Sequence, residues 1–232
     1  MADHIIIGGH GKVALLTMPL LREAGHSVTG VIRNPEHVHD VEAAGGKPLV
    51  LDVETASEDD LVRAFEGKAA VVWSAGAGGG NPGRTYAVDR DAAIRSMAAA
   101  LRAGVRRYVM VSYLGAGPDH GIPEDNPFHA YAQAKAAADS HLRASGLDWT
   151  ILGPATLTLE KPTGTIDLAP LHDPAGRTVS RGNVALTIQA ALEMGETIGR
   201  TLEYVDGATD IREAFRSRDR PRRGSGSCSP TD

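Results

Sequence analysis

Three isoleucines, Ile5, Ile6 and Ile7, run straight into Gly8–Gly9–His10–Gly11, and an apolar helical pattern starts at Lys12–Val13–Ala14–Leu15–Leu16. A β-branched run without polar alternation reads as a strand buried on both faces. Glycines directly after it allow a tight turn, and a helix starting at once points its unpaired N–H groups back at the turn. Gly8 and Gly11 admit backbone angles closed to other residues and let an anionic group come near the chain. Ala14 stands where a small residue lets helix and strand pack closely. The spacing is G-x-x-G-x-x-A, which differs from the dinucleotide fingerprint G-x-G-x-x-G. A plain structural turn has the same grammar, so the rest of the chain decides.

The alternation repeats along the chain. Lys12–Ala24 reads as a helix stopped by Gly25, with Pro19 inside it as a source of bending. Strands follow at Ser27–Ile32, Pro48–Leu51, Ala69–Trp73, Arg107–Val111 and Trp149–Leu152. Helical patterns separate them at Glu36–Ala44, from Ser57 (with Asp60 as a capping box) to Glu66, at Tyr86–Ala103 and at His129–Ala144. Gly153–Arg177, rich in proline, reads as irregular; Val184–Glu193 reads as a helix, Thr201–Val205 as a last strand and Thr209–Phe215 as a terminal helix. Apolar strands separated by helices predict a Rossmann-type doubly wound parallel sheet, covered by helices on both faces. The expected organisation is one domain over residues 1–215, with a small C-terminal substrate-binding portion. The tail 216–232 is rich in Arg, Ser and Gly and is expected to be disordered.

Composition narrows the function. A formal charge of −5 argues against nucleic acid as a partner. The single cysteine, Cys228, rules out an internal disulfide and fits a reducing compartment. No signal-peptide pattern opens the chain and no apolar run reaches the roughly 20 residues of a membrane span, so a cytoplasmic protein without a membrane partner is expected. His37 and His39 lack a second ligand cluster, so no metal site is expected, and no G-x-S-x-G turn marks a hydrolase nucleophile. Homodimerisation is compatible with the fold, although nothing in the sequence identifies an interface.

In a doubly wound sheet the ligand lies beyond the carboxyl ends of the strands. Arg33 ends the second strand, where a carboxylate would favour NAD; a guanidinium there can bind a 2′-phosphate bidentately, which favours NADP while leaving NAD open. Asp52 is placed to accept from an adenine amino group, with Val53 against the ring. Ala75, Gly76 and Ala77 follow the fourth strand and leave room for the cofactor against the backbone. Tyr131 and Lys135, at i and i+4, share one helix face. A phenol titrates near 10, too high for efficient proton transfer at neutral pH, and a nearby ammonium is expected to lower it. Ser112 ends the fifth strand and is expected to share a substrate oxygen with Tyr131.

The segments IIIGGHGKVA, VIRNP, LDVE, WSAGAG, VDRDAAI, AGVRRYVMVS, YAQAK, SGLDWTILGPATL and VSRGNVA occur in this order. Together they resemble the short-chain dehydrogenase/reductase superfamily, in its atypical NAD(P)H-binding, NmrA-like branch, over about residues 4–215. That resemblance implies that Gly8, Gly9, His10, Gly11, Lys12 and Val13 hold a pyrophosphate, Arg33 a 2′-phosphate, and Asp52 and Val53 the adenine. It implies that Lys135 also binds the nicotinamide ribose and that Pro154, in Gly153–Thr156, lies under the nicotinamide. Gly153 replaces an arginine common in the family, and His10 and Lys12 add polar groups to the glycine turn.

The expected function is an NADP-dependent oxidoreductase. It would move hydride to or from a small carbonyl or alcohol substrate, with Tyr131 as acid/base, Lys135 as its electrostatic partner and Ser112 as oxygen-positioning donor. The loops Tyr113–Phe128 and Ala155–Arg177 would wall the substrate. Two alternatives differ in chemistry. One is an NAD(P)H-binding redox sensor without turnover; the other is a flavin- or quinone-type reductase with direct hydride transfer and no tyrosine proton.

Overall fold

The computed structural model describes residues 1–77, 81–168 and 177–217. Residues 78–80, the middle of the Ala155–Arg177 loop and the tail beyond Ser217 lie outside the described residues. The first strand, β1 (Asp3–Ile7), leads through the glycine turn into α1 (Lys12–Glu23). Then come β2 (Ser27–Ile32), a 3-10 turn (Pro35–His37), α2 (Val38–Ala43), β3 (Lys47–Val50), α3 (Glu58–Phe65) and β4 (Ala70–Trp73). The next segment joins α4 (Pro82–Thr85), a π-helical stretch (Tyr86–Ala92) and α5 (Ala93–Arg102). β5 (Arg107–Val111), α6 (His129–Ala144), β6 (Asp148–Pro154), β7 (Thr156–Thr158), β8 (Thr165–Leu168) and β9 (Thr178–Ser180) follow. The described chain closes with α7 (Arg181–Glu193), β10 (Arg200–Asp206), β11 (Thr209–Asp210) and α8 (Ile211–Arg216).

Among the described residues the sheet has nine strands in the order β11-β8-β10-β6-β5-β4-β1-β2-β3. From β3 to β10 every pairing is parallel; β8 pairs antiparallel with β10, and β11 with β8. This is the Rossmann-type architecture that the strand–helix alternation predicts. β1 shows why the sheet must be covered twice. Ile6 joins a core with Met18 and Leu21 of α1 and Ile188 of α7, whereas Ile5 and Ile7 join Leu61 and Phe65 of α3 and Met97 of α5. All three isoleucines are fully buried, each contributing about 2 kcal/mol of apolar transfer. β1 lies between β2 and β4, so the chain leaves β1 towards one edge and returns on its other side. The crevice opens at that reversal, beyond the carboxyl ends of β1 and β4.

Four expectations change in detail. The helix expected at Glu36–Ala44 starts as the 3-10 turn, because Asn34 accepts the Glu36 N–H at 3.1 Å and stops the chain from winding directly into α2. The helix expected at Tyr86–Ala103 begins earlier, at Pro82, and passes through the π-helical stretch. The region expected to be irregular, Gly153–Arg177, holds β7 and β8, and β9 follows directly after it; all three are short strands whose partners are distant in sequence. Thr209–Asp210 is strand β11, and Asp210 caps α8 by accepting from the N–H groups of Arg212 and Glu213. The Ser57–Asp60 capping box forms as expected, and α1 continues through Pro19.

His4 on β1 carries a pH dependence. It is 5% exposed, its Nδ1 has no hydrogen-bond partner, and its ring centroid lies 5.0 Å from that of His26. Burial, reinforced by the neighbouring His26, pulls its pKa down to about 4. The folded state therefore favours neutral His4. Its contribution is complete above the ordinary histidine value and is lost as pH falls from there towards about 4. Urea denaturation should show the stability of wild type relative to His4→Val falling by about 2 kcal/mol across that window towards its acid end. An unchanged slope in the variant would clear His4 of the effect.

Candidate active site

Two cavities meet at the glycine turn. The smaller, about 370 Å³, is lined by Gly8, His10, Arg33, Asp52, Val53 and Arg84 among others. The larger, about 870 Å³, is lined by Ser112, Tyr113, Phe128, Tyr131, Pro154 and Arg181 among others. Gly11, Ser74, Ala75 and Gly76 line both, so one elongated ligand can lie in the two together.

The turn is built for close approach. Gly8 has φ of +85°, and a Cβ there would lie 2.7 Å from the Ala75 Cα. A Cβ on Gly9 would lie 2.7 Å from the Gly30 Cα, so the turn packs backbone to backbone on β2. Gly9 donates its N–H to Val31 O at 2.8 Å, and Ser74 donates to Ile7 O at 3.0 Å. Gly11 is the N-cap of α1 and supplies no side-chain cap, which leaves the first N–H groups of the helix available to an anion. These features fit a pyrophosphate: a cradle that any Cβ would fill, and an uncapped helix N-terminus beyond it. Val13 is buried, Lys12 is exposed, and His10 is tied to Asp40 at 2.8 Å and stacked on His37 with centroids 3.5 Å apart.

At the outer end of the smaller cavity, Arg33 is exposed and its Nη1 lies 3.9 Å from Glu54 Oε2. Arg84, which the motif spacing did not reveal, donates from Nε to the same Glu54 oxygen at 3.0 Å and from Nη1 to Ala77 O at 3.0 Å. A phosphate in this position would meet two guanidinium groups now shared with one carboxylate. Asp52 Oδ1 accepts the Glu54 N–H at 3.0 Å, so it shapes its own turn as well as lining the cavity. The backbone after β4 is held from below. Ala77 N–H donates to Asp89 Oδ2 at 2.9 Å, and a Cβ on Gly76 would lie 3.2 Å from Asp89 Oδ1.

In the larger cavity the Tyr131, Tyr113 and Phe128 rings form an aromatic wall with centroids 5.1 to 5.6 Å apart. Pro154 lies at the end of β6 and its carbonyl accepts the Leu114 N–H at 2.9 Å. Ser112 is 5% exposed, and its Oγ lies 2.6 Å from Asp139 Oδ2. Gly153, where the family commonly has arginine, faces Glu203: a Cβ there would lie 2.8 Å from the Glu203 Cγ. Glu203 accepts the Gly115 N–H at 2.9 Å and so holds the loop after Ser112.

The expected Tyr131–Lys135 electrostatics take another form. Both residues share a face of α6, but Lys135 is 1% exposed and donates from Nζ to Val111 O at 2.8 Å, with Met110 Sδ at 3.3 Å. Its ammonium serves the end of β5 and acts on Asp89 and Asp139. The Tyr131 phenol is pushed above its ordinary value, first by burial and then by the carboxylates of Asp89 and Asp139. Burial with Asp139 and Glu203 likewise pushes Tyr113 up to about 12. In this structure Lys135 therefore does not lower the Tyr131 value: burial raises it first, and the nearby carboxyl groups add to that.

A glycine turn against an uncapped helix, at the reversal point of a doubly wound parallel sheet, defines a nucleotide-binding Rossmann protein. Residues 8–194 match the family described as NAD(P)H-binding, and the chain belongs to that family. This agrees with the motifs' resemblance to the atypical branch of the short-chain dehydrogenases/reductases. A Bacillus subtilis protein designated an uncharacterized sugar epimerase, YhfK, is 33% identical over 91% of this chain and 97% of its own. A solved structure from Bacillus halodurans, provisionally designated an NAD-dependent epimerase/dehydratase, superposes with a TM-score of 0.85 at 29% identity, covering 93% of this chain and 99% of its own. The Lactococcus lactis oxidoreductase ylbE gives 0.80 at 27% identity, covering 92% and 94%.

Proposed function

We propose that the protein is an NADP-dependent oxidoreductase acting on a small carbonyl or alcohol compound. The observation that carries this reading is the continuity of the two cavities past Gly11, Ala75 and Gly76. It lets one dinucleotide reach from Arg33 to the wall that holds Ser112 and Tyr131. The names of the relatives, oxidoreductase and epimerase/dehydratase, belong to the same nicotinamide chemistry.

When bound, the cofactor supplies or accepts the hydride. The Gly8–Val13 turn would hold the pyrophosphate, Arg33 and Arg84 would hold the 2′-phosphate, and Asp52 and Val53 would border the adenine. Ala75, Gly76 and Ala77 would border the cofactor where β4 ends, and Pro154 would border its nicotinamide half in the larger cavity. Tyr131 holds a proton on Oη and delivers it to the substrate oxygen, which Ser112 positions. Lys135 keeps the end of β5, and hence Ser112, in place.

The NADP preference predicts that Arg33→Ala weakens NADPH binding about tenfold or more in a fluorescence titration, with NADH affinity nearly unchanged. Equal losses for both cofactors would remove the 2′-phosphate role. The reaction itself is tested by following NADPH consumption with a panel of aldehydes, ketones and quinones. Binding without consumption across the panel would favour a redox sensor instead.

A second reading has its own support. The aromatic wall suits a flat conjugated acceptor, and a phenol pushed above its ordinary range is a reluctant acid. A flavin- or quinone-type reductase would need hydride transfer alone and no proton from Tyr131.

A further inference from the structure

Ser112 Oγ and Asp139 Oδ2 lie 2.6 Å apart, and the direction of the proton between them decides what Ser112 offers the cavity. With Asp139 ionised, Ser112 gives its only proton to the carboxylate and shows a ligand nothing but lone pairs. With Asp139 protonated, the carboxyl donates to Ser112 Oγ, and the serine O–H is free to turn to a ligand oxygen.

The surroundings choose between these states. Asp89, Lys135 and Asp139 are 1%, 1% and 0% exposed, so two carboxyl groups share one ammonium away from solvent. Glu203 on β10, 7% exposed, adds a third carboxyl, and half-buried Arg143 on α6 is the other cation acting on Asp139. Carboxyls crowded in a low dielectric do not all ionise. Asp89 Oδ2 accepts a backbone N–H, from Ala77, which can only donate and therefore favours the ionised form. The Oδ1 atoms of both carboxyls lack a partner, but Asp139 Oδ2 meets a hydroxyl, which can donate or accept. The surplus proton sits best on Asp139.

We propose that Asp139 works as a neutral carboxylic acid at neutral pH, donating to Ser112 Oγ so that Ser112 turns its own proton to the acceptor oxygen of the ligand. Asp139 is thus a positioning residue acting through Ser112. The inference rests on the oxidoreductase reading only in taking that ligand to be a carbonyl compound. Burial pushes the Asp139 carboxyl upward, against the opposing pull of Lys135, Ser112 and Arg143. A neutral Asp139 also removes one carboxylate charge from beside Tyr113, Tyr131 and Glu203, the other titratable groups that feel it. As pH rises through the folded Asp139 value, Ser112 turns from donor to acceptor and the grip on a carbonyl oxygen weakens.

Infrared spectroscopy of the full chain near neutral pH tests this without a substrate. The expected result is a protonated-carboxyl stretch that disappears in Asp139→Asn and moves in Ser112→Ala. No such band near neutral pH, or a band unmoved by Ser112→Ala, overturns the proposal; the serine variant decides even if Asp139→Asn fails to fold. Turnover adds a second readout, with menadione and NADPH as the probe pair. The side-chain amide introduced by Asp139→Asn is a permanent donor to Ser112. That variant should therefore keep the rate within about threefold and flatten the alkaline decline, while Asp139→Ala loses about tenfold. An Asp139→Asn variant that retains the wild-type alkaline decline overturns the proposal. If menadione supports no turnover, the oxidoreductase reading is weakened, and the infrared result still decides the state of Asp139.

Discussion

Lys135→Met should destabilise the protein by about 3 kcal/mol, one of the largest effects expected of a single substitution here. The ammonium is 1% exposed, donates to Val111 O at 2.8 Å and is the buried cation acting on both Asp89 and Asp139. Methionine fills comparable volume, so the loss isolates the charge: a buried carboxylate left without its counter-ion, and a strand-end carbonyl without its donor. The sign with pH follows from the same carboxyls. Asp89 and Asp139 already have raised values, and removing the ammonium raises them further. Their protonated forms then hold more of the folding free energy, which is lost as pH rises through the folded values. Urea midpoints, measured as variant minus wild type, should differ least near pH 5 and most near about pH 8. A pH-independent difference would mean that Lys135 acts through packing alone.

The second large effect concerns turnover. Tyr131→Phe removes the one phenolic proton in the reading that has Tyr131 as acid, and should cost about a hundredfold or more in kcat. NADPH affinity should stay near wild type, because the phenol is assigned no part in holding the phosphates or adenine. The tilted ring contacts with Tyr113 and Phe128 survive the substitution, so the fold should be spared. Turnover unchanged by the variant would discard Tyr131 as the acid and leave the direct-hydride reading standing.

Much of the fold is legible in the chain because its strands are buried on both faces. Ile5–Ile7 and Val71–Trp73 are apolar without alternation, and such strands leave no register ambiguity between a wet and a dry side. The glycine turn is legible for a related reason: Gly8 and Gly9 sit where a Cβ would strike neighbouring backbone, so the spacing reports a steric requirement. The late strands β7 to β9 were hidden by their composition, since threonine-rich segments of three or four residues gain their strand character from distant partners.

The site divides in the same way. The i and i+4 spacing places Tyr131 and Lys135 on one face of α6, but it does not say where a flexible lysine stem ends. In the structure it ends on Val111 O, and the Tyr131 phenol is raised first by burial and then by nearby carboxyl groups rather than lowered by the ammonium. Asp139 extends the spacing to i+8 amid buried alanines, a polar stripe that could have been read from the sequence. Asp89, Glu203 and Arg84 had no such signal. They reach the crevice from the π-helical stretch, β10 and α4, elements brought together only by tertiary packing.

Hydride transfer can be followed by isotope label. The protein would be incubated with NADPH deuterated at the transferring position of the nicotinamide, together with the carbonyl and quinone panel, and the products analysed by mass spectrometry. Deuterium is expected in a reduced product, formed in step with NADPH loss and slowed by Tyr131→Phe. Tightly bound NADPH that passes its label to no acceptor would contradict the oxidoreductase reading.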